Sequence, residues 1–350
     1  MGVNNAMPIE IYKLERREEK EWDAYVLKHP NSTFFHQIGW RNVVQETYKH
    51  KPIYLVAKED GNIKGILPLF LMKSVIFDTK LVSVPFAPYG GVCADDEMAE
   101  KMLIEEAIRV TEEYDVDYLE LRTISGNNVK GFITQSSYVT SILKLDKSTD
   151  VVWNERLKRN KRKTIVKSEK RNLSIEWTDR VDDFYKIYAS NMRDLGSPVH
   201  SKKFFENIIH EFPDESKVSV VKRDDVVIYA AFYLFFKDTV INSWSSTREE
   251  YRKYYPTDFG IWNVIKYCCE RGYRYYDFGR SQVNSSNLEF KRRWSAETKP
   301  LYYQYYLKNA KEAPNFTSMN PKRQKFAGIW KKLPLKMTTA IGPLIRKEIP

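Results

Sequence analysis

The feature that most constrains the fold is a repeated order of elements in the two halves of the sequence. Residues 53–58 and 63–71 read as two strands joined by an Asp60-Gly61 turn, followed by a third strand over 81–84. A rigid Pro-Phe-Ala-Pro-Tyr-Gly-Gly loop comes next, then an amphipathic helix over 96–114 and a strand over 118–122. The second half replays this series: strands over 218–222, 226–236 and 239–246, a loop rich in Tyr with one Pro, a helix over 258–271 and a strand over 275–278. Asp60 and Asp224 stand 164 residues apart, and Arg122 and Arg280 stand 158 apart. Five elements in one order at a nearly constant offset predict a duplicated α/β domain with mixed sheets. With 42% hydrophobic and 14% aromatic residues the chain can fill two cores.

The net charge of +11 is concentrated in two places. Residues 155–171 carry nine basic and two acidic side chains, and so do residues 309–350, whereas residues 1–145 carry 17 basic against 21 acidic. Two basic elements on a mildly acidic body point to contact with polyanions at defined sites. The first run offers a thin apolar stripe (Trp153, Leu157, Ile165) and repeats Arg159, Arg162/Lys163, Lys167 and Lys170 at three- and four-residue steps. It predicts a helix pair with a cationic face, and two further helices are expected over 181–195 and 202–212.

Several chemistries lack their signatures. There is no phosphate-binding P-loop, no dinucleotide Gly-x-Gly-x-x-Gly and no Gly-x-Ser-x-Gly nucleophile elbow. The five histidines show no paired metal spacing, so no metal is expected. Cys93, Cys268 and Cys269 fall in apolar stretches and read as small buried side chains. Gly2 is followed by Ala at position 6, where an N-myristoylation signal requires Ser or Thr. No secretory apolar run opens the sequence, and the expectation is a cytoplasmic protein.

The densest polar cluster closes the second repeat: Asp277-Phe-Gly-Arg-Ser281, then Asn284-Ser-Ser-Asn287, then Phe290-Lys-Arg-Arg-Trp294. Residues just past a strand's carboxyl end border the ligand crevice of an α/β sheet. Asp277, Arg280 and Lys291 among Phe278, Phe290 and Trp294 are expected to be partly desolvated. A structural Asp–Arg pair tying the strand to its loop is the other reading of the same residues.

"YDFGRS" with "FKRRW", "KRKTIVKSEKRNLSIEW" and "NSWSSTREEYRKYYPTDFGIWNVIKYCCERG" resemble the FemABX aminoacyltransferases, a family that adds amino acids to peptidoglycan precursors. "HPNSTFFHQIGWRNVV", "LVSVPFAPYGG" and "WKKLPLKMTTAIGPLIRK" are similar to the FemAB-like proteins of exosortase/PEP-CTERM exopolysaccharide loci. The resemblance spans residues 20–345. It implies two tandem acetyltransferase-like (GNAT) domains and transfer of an aminoacyl or acyl group to an amine of a cell-envelope precursor. By matching motifs, Arg162 falls against acceptor diphosphate and Lys291 near the acyl carbonyl. Asp277 or Tyr254 is the candidate proton relay, and Arg280, Ser281, Arg252 and Trp244 join Arg162 as candidate substrate contacts. Two family features are missing: the coiled-coil arms with which some members hold tRNA, and the GNAT pyrophosphate loop Q/R-x-x-G-x-G/A. An aminoacyl-tRNA donor is favoured over an acyl-CoA.

The expected division is one GNAT-like domain over 1–147, a second over 148–310, and a basic amphipathic tail over 311–350. In the tail Phe326, Ile329, Trp330 and Leu333 recur at helical spacing among lysines, as in a segment lying on an anionic membrane surface at the inner face. Docking of the tail on the protein's own core is the other reading. Two alternatives to the aminoacyltransferase remain: a CoA-dependent N-acyltransferase on a small-molecule or sugar amine, and a non-catalytic RNA- or membrane-binding protein.

Overall fold

A computed structural model describes residues 8–74, 77–124, 126, 129–315, 317 and 320–350. Gly2 and Ala6 lie outside them. In chain order the elements are β1 (Glu10–Lys13), α1 (Glu19–Lys28), α2 (Ile38–Tyr48), β2 (Lys51–Glu59), β3 (Asn62–Met72), β4 (Lys80–Ser83), β5 (Cys93–Ala94), α3 (Glu97–Glu113) and β6 (Tyr118–Thr123). They continue with β7 (Ile133–Lys144), α4 (Thr149–Val151), α5 (Arg159–Glu169), β8 (Ser174–Thr178), α6 (Val181–Asp194), α7 (Lys202–Glu211), β9 (Ser216–Arg223), β10 (Val226–Phe236) and β11 (Thr239–Thr247). The last are α8 (Pro256–Glu270), β12 (Tyr275–Gln282), α9 (Ser286–Arg292), β13 (Glu297–Leu307), α10 (Pro321–Trp330) and α11 (Leu335–Arg346).

The chain divides into two compact units that interleave in sequence: residues 1–136 with 301–314 and 348–350, and residues 137–300 with 315–347. A sequential division at 147 and 310 misses this. β7 follows unit 1 in the chain but pairs with β12 of unit 2, while β13 follows unit 2 but pairs with β6 of unit 1. The tail over 315–347 belongs to unit 2, and α11 packs on α6.

In unit 1, β1 to β4 form an antiparallel run, and β4 pairs with β6 in parallel. The strands lie under α3, whose inward Ala99, Leu103, Ala107 and Val110 meet Leu55, Leu67, Leu69 and Leu119. The spacing of those four positions is the apolar stripe that makes α3 amphipathic, and Asp96 starts the helix by accepting from the Ala99 N–H. His29, His36 and His50 are buried here; Cys93 Sγ lies 2.9 Å from His29 Nδ1.

Unit 2 repeats the plan with β8 to β11 antiparallel, β11 parallel to β12 and β7 along β12. α8 covers one face with Ile261, Val264, Ile265 and Cys268 against Tyr229, Tyr233, Val240 and Tyr276. The other face carries an aromatic layer in which Phe184, Phe205, Phe232 and Trp244 meet edge to face. The basic run forms one helix, α5, preceded by a short helical segment that ends at Arg156, and Leu157 and Ile165 are buried as its stripe.

Candidate active site

In unit 2 the two parallel strands stay together for three residues only: Thr239 opposite Tyr275, Val240 opposite Tyr276, Ile241 opposite Asp277. Both run on, β11 to Thr247 and β12 to Gln282, with no further pairing between them. β12 bends away at a bulge. Against β7, Asp277 stands opposite Ile142 and Arg280 opposite Thr140, so β12 spends one residue more than its partner. Gly279 takes φ +71° there, and an added Cβ would stand 3.2 Å from the Asn242 carbonyl oxygen, so the sequence needs glycine at this point. Asp277 locks the bend by accepting from the Gly279 N–H at 2.7 Å and from the Thr140 hydroxyl.

The bulge turns two carbonyls toward Lys291. Ser285 caps α9 by accepting from the Leu288 N–H, and Leu288 and Lys291, three residues apart, share its buried side. Lys291 is 5% exposed and its Nζ donates to Gly279 O at 2.7 Å and Arg280 O at 3.1 Å. An ammonium has three donors, so one N–H remains for a further acceptor. Burial lowers the Lys291 pKa to about 8, with Asp277 acting to raise it and Arg280 to lower it further.

A second buried cation was not singled out in the sequence. Lys161 lies on the inward stripe of α5 with Ile165 and Ser168, and its Nζ is ion-paired to Asp258 in the first turn of α8. The rings of Phe290 and Trp294, expected beside Lys291, hold this lysine, with centroids 4.9 and 4.6 Å from its Nζ. The clue was present as Lys161 falling four residues before Ile165. Surrounded by eight other basic side chains, it read as one more member of a solvated face.

The other expected residues are distributed as follows. Ser281 is buried and accepts from the Asn287 side chain at 3.3 Å, while Arg280 is exposed with its guanidinium 4.6 Å from the Tyr138 ring centroid. These two join Asp277 and Lys291 around the end of β12. Arg162 is half-buried, and its Nη1 donates to the carbonyls of Trp153 and Asn154, both at 3.0 Å, leaving Nε and Nη2 as further donors. Tyr254 lies in the loop before α8, its ring 4.0 Å from the Arg223 guanidinium, and Arg252 pairs with Glu249 on the same exposed turn. Trp244 belongs to the aromatic layer, and its neighbour Phe232 points to the opposite face from Tyr233 and Tyr276. Among the described residues no group of His, Cys, Asp and Glu is arranged to hold a metal ion.

The matching place in unit 1 is filled. β4 and β6 also pair for three residues, ending with Val82 opposite Glu120. There Arg122, 2% exposed, donates to Glu120 at 2.7 Å and to Ala87 O at 2.9 Å, and its guanidinium lies 5.1 Å from the Tyr303 ring centroid. The Pro-rich loop read from the sequence is thereby drawn over the strand ends.

Residues 155–292 match the acetyltransferase (GNAT) domain family. The match falls within unit 2. A parallel strand pair that separates beside a helix-borne lysine lies inside that match. FemX has the same fold over 86% of this chain and 98% of its own, at 16% identity and TM-score 0.67. A tandem GNAT protein from the clavulanic acid biosynthesis pathway covers 88% and 100% at 11% identity and TM-score 0.54. The C-terminal domain of a lysylphosphatidylglycerol synthetase from Agrobacterium fabrum covers 83% and 91% at 10% identity and TM-score 0.56. In fold the chain is FemABX-like, with two GNAT-like units in tandem. No curated protein matches it in sequence.

Proposed function

We propose that the protein transfers an aminoacyl group from aminoacyl-tRNA to an amine of a cell-envelope precursor, with Lys291 as the cation that meets the reacting carbonyl. The acceptor nitrogen attacks the ester carbonyl, a C–N bond forms and negative charge gathers on the oxygen. The intermediate collapses as the C–O bond to the ribose breaks, the ribose oxygen taking up a proton and the nitrogen giving one up. The observation that carries the reading is the one free N–H of a buried ammonium at the separation of β11 and β12. A donor aimed at a developing oxyanion in a desolvated site contributes about 3–4 kcal/mol. Asp277 serves in this reading by fixing the bulge that holds Lys291, with Tyr254 the remaining candidate for moving the proton.

One feature supports an aminoacyl ester over an acyl-CoA: the turn before α8 (Glu249–Tyr254) carries no glycine, so it lacks the glycine-rich backbone that cradles a pyrophosphate at a helix N-terminus. FemX and the lysylphosphatidylglycerol synthetase, similar in fold, are consistent with an envelope acceptor bearing phosphate, for which Arg162 offers three N–H donors. The test supplies labelled aminoacyl-tRNA or labelled acetyl-CoA, in parallel, with an envelope-precursor extract. Label from the tRNA in a product that survives mild base, as an amide does and an ester does not, supports the proposal. Label from acetyl-CoA alone assigns the CoA-dependent reaction instead.

A further inference from the structure

The C-terminal helix pair is oriented opposite to the usual rule for a helix docked on a core. α11 turns its small and hydroxylated side inward: Thr338 and Gly342 are buried, and a Cβ added at Gly342 would stand 3.0 Å from the Val199 side chain. The Thr338 and Thr339 hydroxyls are satisfied within the helix by Leu335 O, at 3.0 and 2.9 Å. On the other side Met337, Ile341 and Leu344, spaced four and three residues apart, are 45%, 40% and 61% exposed. α10 adds Phe326 and Ile329, the latter 60% exposed, while Ala327 packs on Gly196 and Trp330 is buried. Five of the fourteen exposed large apolar side chains among the described residues therefore fall between 326 and 344. A helix contributes such a ridge to solvent at a cost unless something apolar meets it.

The charge around the ridge is of one sign. From residue 313 to 347 the sequence has eight Lys or Arg and no Asp or Glu. Lys322, Lys325, Lys331, Lys332 and Lys336 are all exposed. We infer that α10 and α11 form a docking surface for an anionic lipid bilayer, with the apolar ridge entering the headgroup boundary and the lysines meeting lipid phosphates. Charge complementarity selects this occupant. The core of a protein–protein interface is depleted in lysine, and exposed aliphatic side chains contribute little to nucleic-acid binding, which draws on aromatic stacking. An apolar face flanked by lysines is the combination that an anionic interface rewards. No helix among the described residues is long and apolar enough to cross a membrane, so the association would be from one side. The inference goes beyond the reaction proposed above and does not depend on which donor is used.

Sedimentation with vesicles tests it, using the full chain and two lipid compositions, phosphatidylglycerol mixed with phosphatidylcholine and phosphatidylcholine alone. The wild type is expected to pellet with the anionic vesicles at low salt, to bind several-fold more weakly as salt rises tenfold, and to stay in solution with neutral vesicles. Ile341→Ser/Leu344→Ser, which alters exposed side chains only, should bind at least about tenfold more weakly with an unchanged melting temperature. Lys331→Glu/Lys332→Glu should bind anionic vesicles several-fold more weakly. The proposal is overturned if the wild type stays in solution with anionic vesicles, or if the serine variant binds as well as the wild type. It is also overturned if sedimentation velocity finds a dimer that the serine variant abolishes, which would give the ridge to a second copy of the chain. Transfer activity retained in a serine variant that no longer binds vesicles would separate the surface from the reaction.

Discussion

The ends of β6 and β12 show how one residue changes what a fold can do. Both strands hold an acidic residue in the last pair of the parallel ladder, Glu120 in unit 1 and Asp277 in unit 2. β6 continues in regular register with β13, so Arg122, two residues on, stays on the side of Glu120 and folds back to it. In β12 the bulge at Phe278–Gly279 offsets the register, Arg280 goes out to solvent, and the backbone carbonyls left behind hold Lys291. The unit with the regular strand seals its crevice with an internal ion pair. The unit with the bulge keeps a cation whose donors are not all used.

The comparison breaks most sharply at Arg122. Arg122→Leu leaves Glu120 buried without its partner and is expected to destabilise the protein by about 3–5 kcal/mol, read from denaturant unfolding. Transfer per folded molecule should remain near the wild-type value; a large loss of turnover without loss of stability would place unit 1 in the chemistry. Lys291→Met gives the opposite pattern. Its turnover number should fall by about 100-fold or more, with acceptor and donor affinities nearly unchanged in equilibrium binding. The next effect concerns the bulge. Gly279→Ala forces a side chain into the left-handed region and against Asn242 O, at a cost of roughly 1–2 kcal/mol. Turnover should fall with it, because the carbonyls that position Lys291 move; normal turnover in a destabilised variant would separate the bulge from the lysine. The smallest effect is expected at Arg162, where replacement by Lys keeps the charge but loses the planar fork. The Michaelis constant for the phosphate-bearing substrate should rise several-fold, and an unchanged constant in Arg162→Ala would leave Arg162 as a clasp on Trp153 and Asn154.

Much of the architecture was legible because it rests on local signals. Strand runs such as 226–236, the Asp60-Gly61 turn, the stripe of α3 and the repeated order of elements all lie within short windows. What the sequence did not reveal is set by pairing over long distances. Nothing local in residues 133–144 or 297–307 names the strand with which each pairs, since polar and apolar residues fall there in short blocks and not in the alternation that fixes a face and a register. The cluster at Asp277–Trp294 was legible from its density of charged and aromatic residues beside a strand end. The partner of its aromatic rings was not, because Lys161 comes from a helix far earlier in the sequence, 129 and 133 residues before Phe290 and Trp294, whose apolar stripe is thin.

The tail was legible in composition, while its orientation was not. Helical spacing marked Phe326, Ile329 and Trp330, yet whether the apolar or the small side of α11 faces the protein depends on the fit of Gly342 to Val199. That close approach lets a helix dock through Thr and Gly and leaves its larger side chains outside.

The most direct test of the central claim is the pH dependence of single-turnover transfer by the wild type and by Lys291→Arg. Burial places the Lys291 pKa at about 8, below that of a free lysine, so the charged form prevails below pH 8 and is lost above it. The unfolded chain still binds that proton up to about pH 10, so the same group makes the fold more stable, not less, as pH rises through this window. If the charge stabilises the reacting oxygen, the wild-type rate falls as pH rises through about 8 although the protein is no less stable. In an active Lys291→Arg variant, whose guanidinium stays protonated, that falling limb disappears. The same limb in both proteins, or a wild-type rate that holds level from pH 7 to pH 9, would contradict the account.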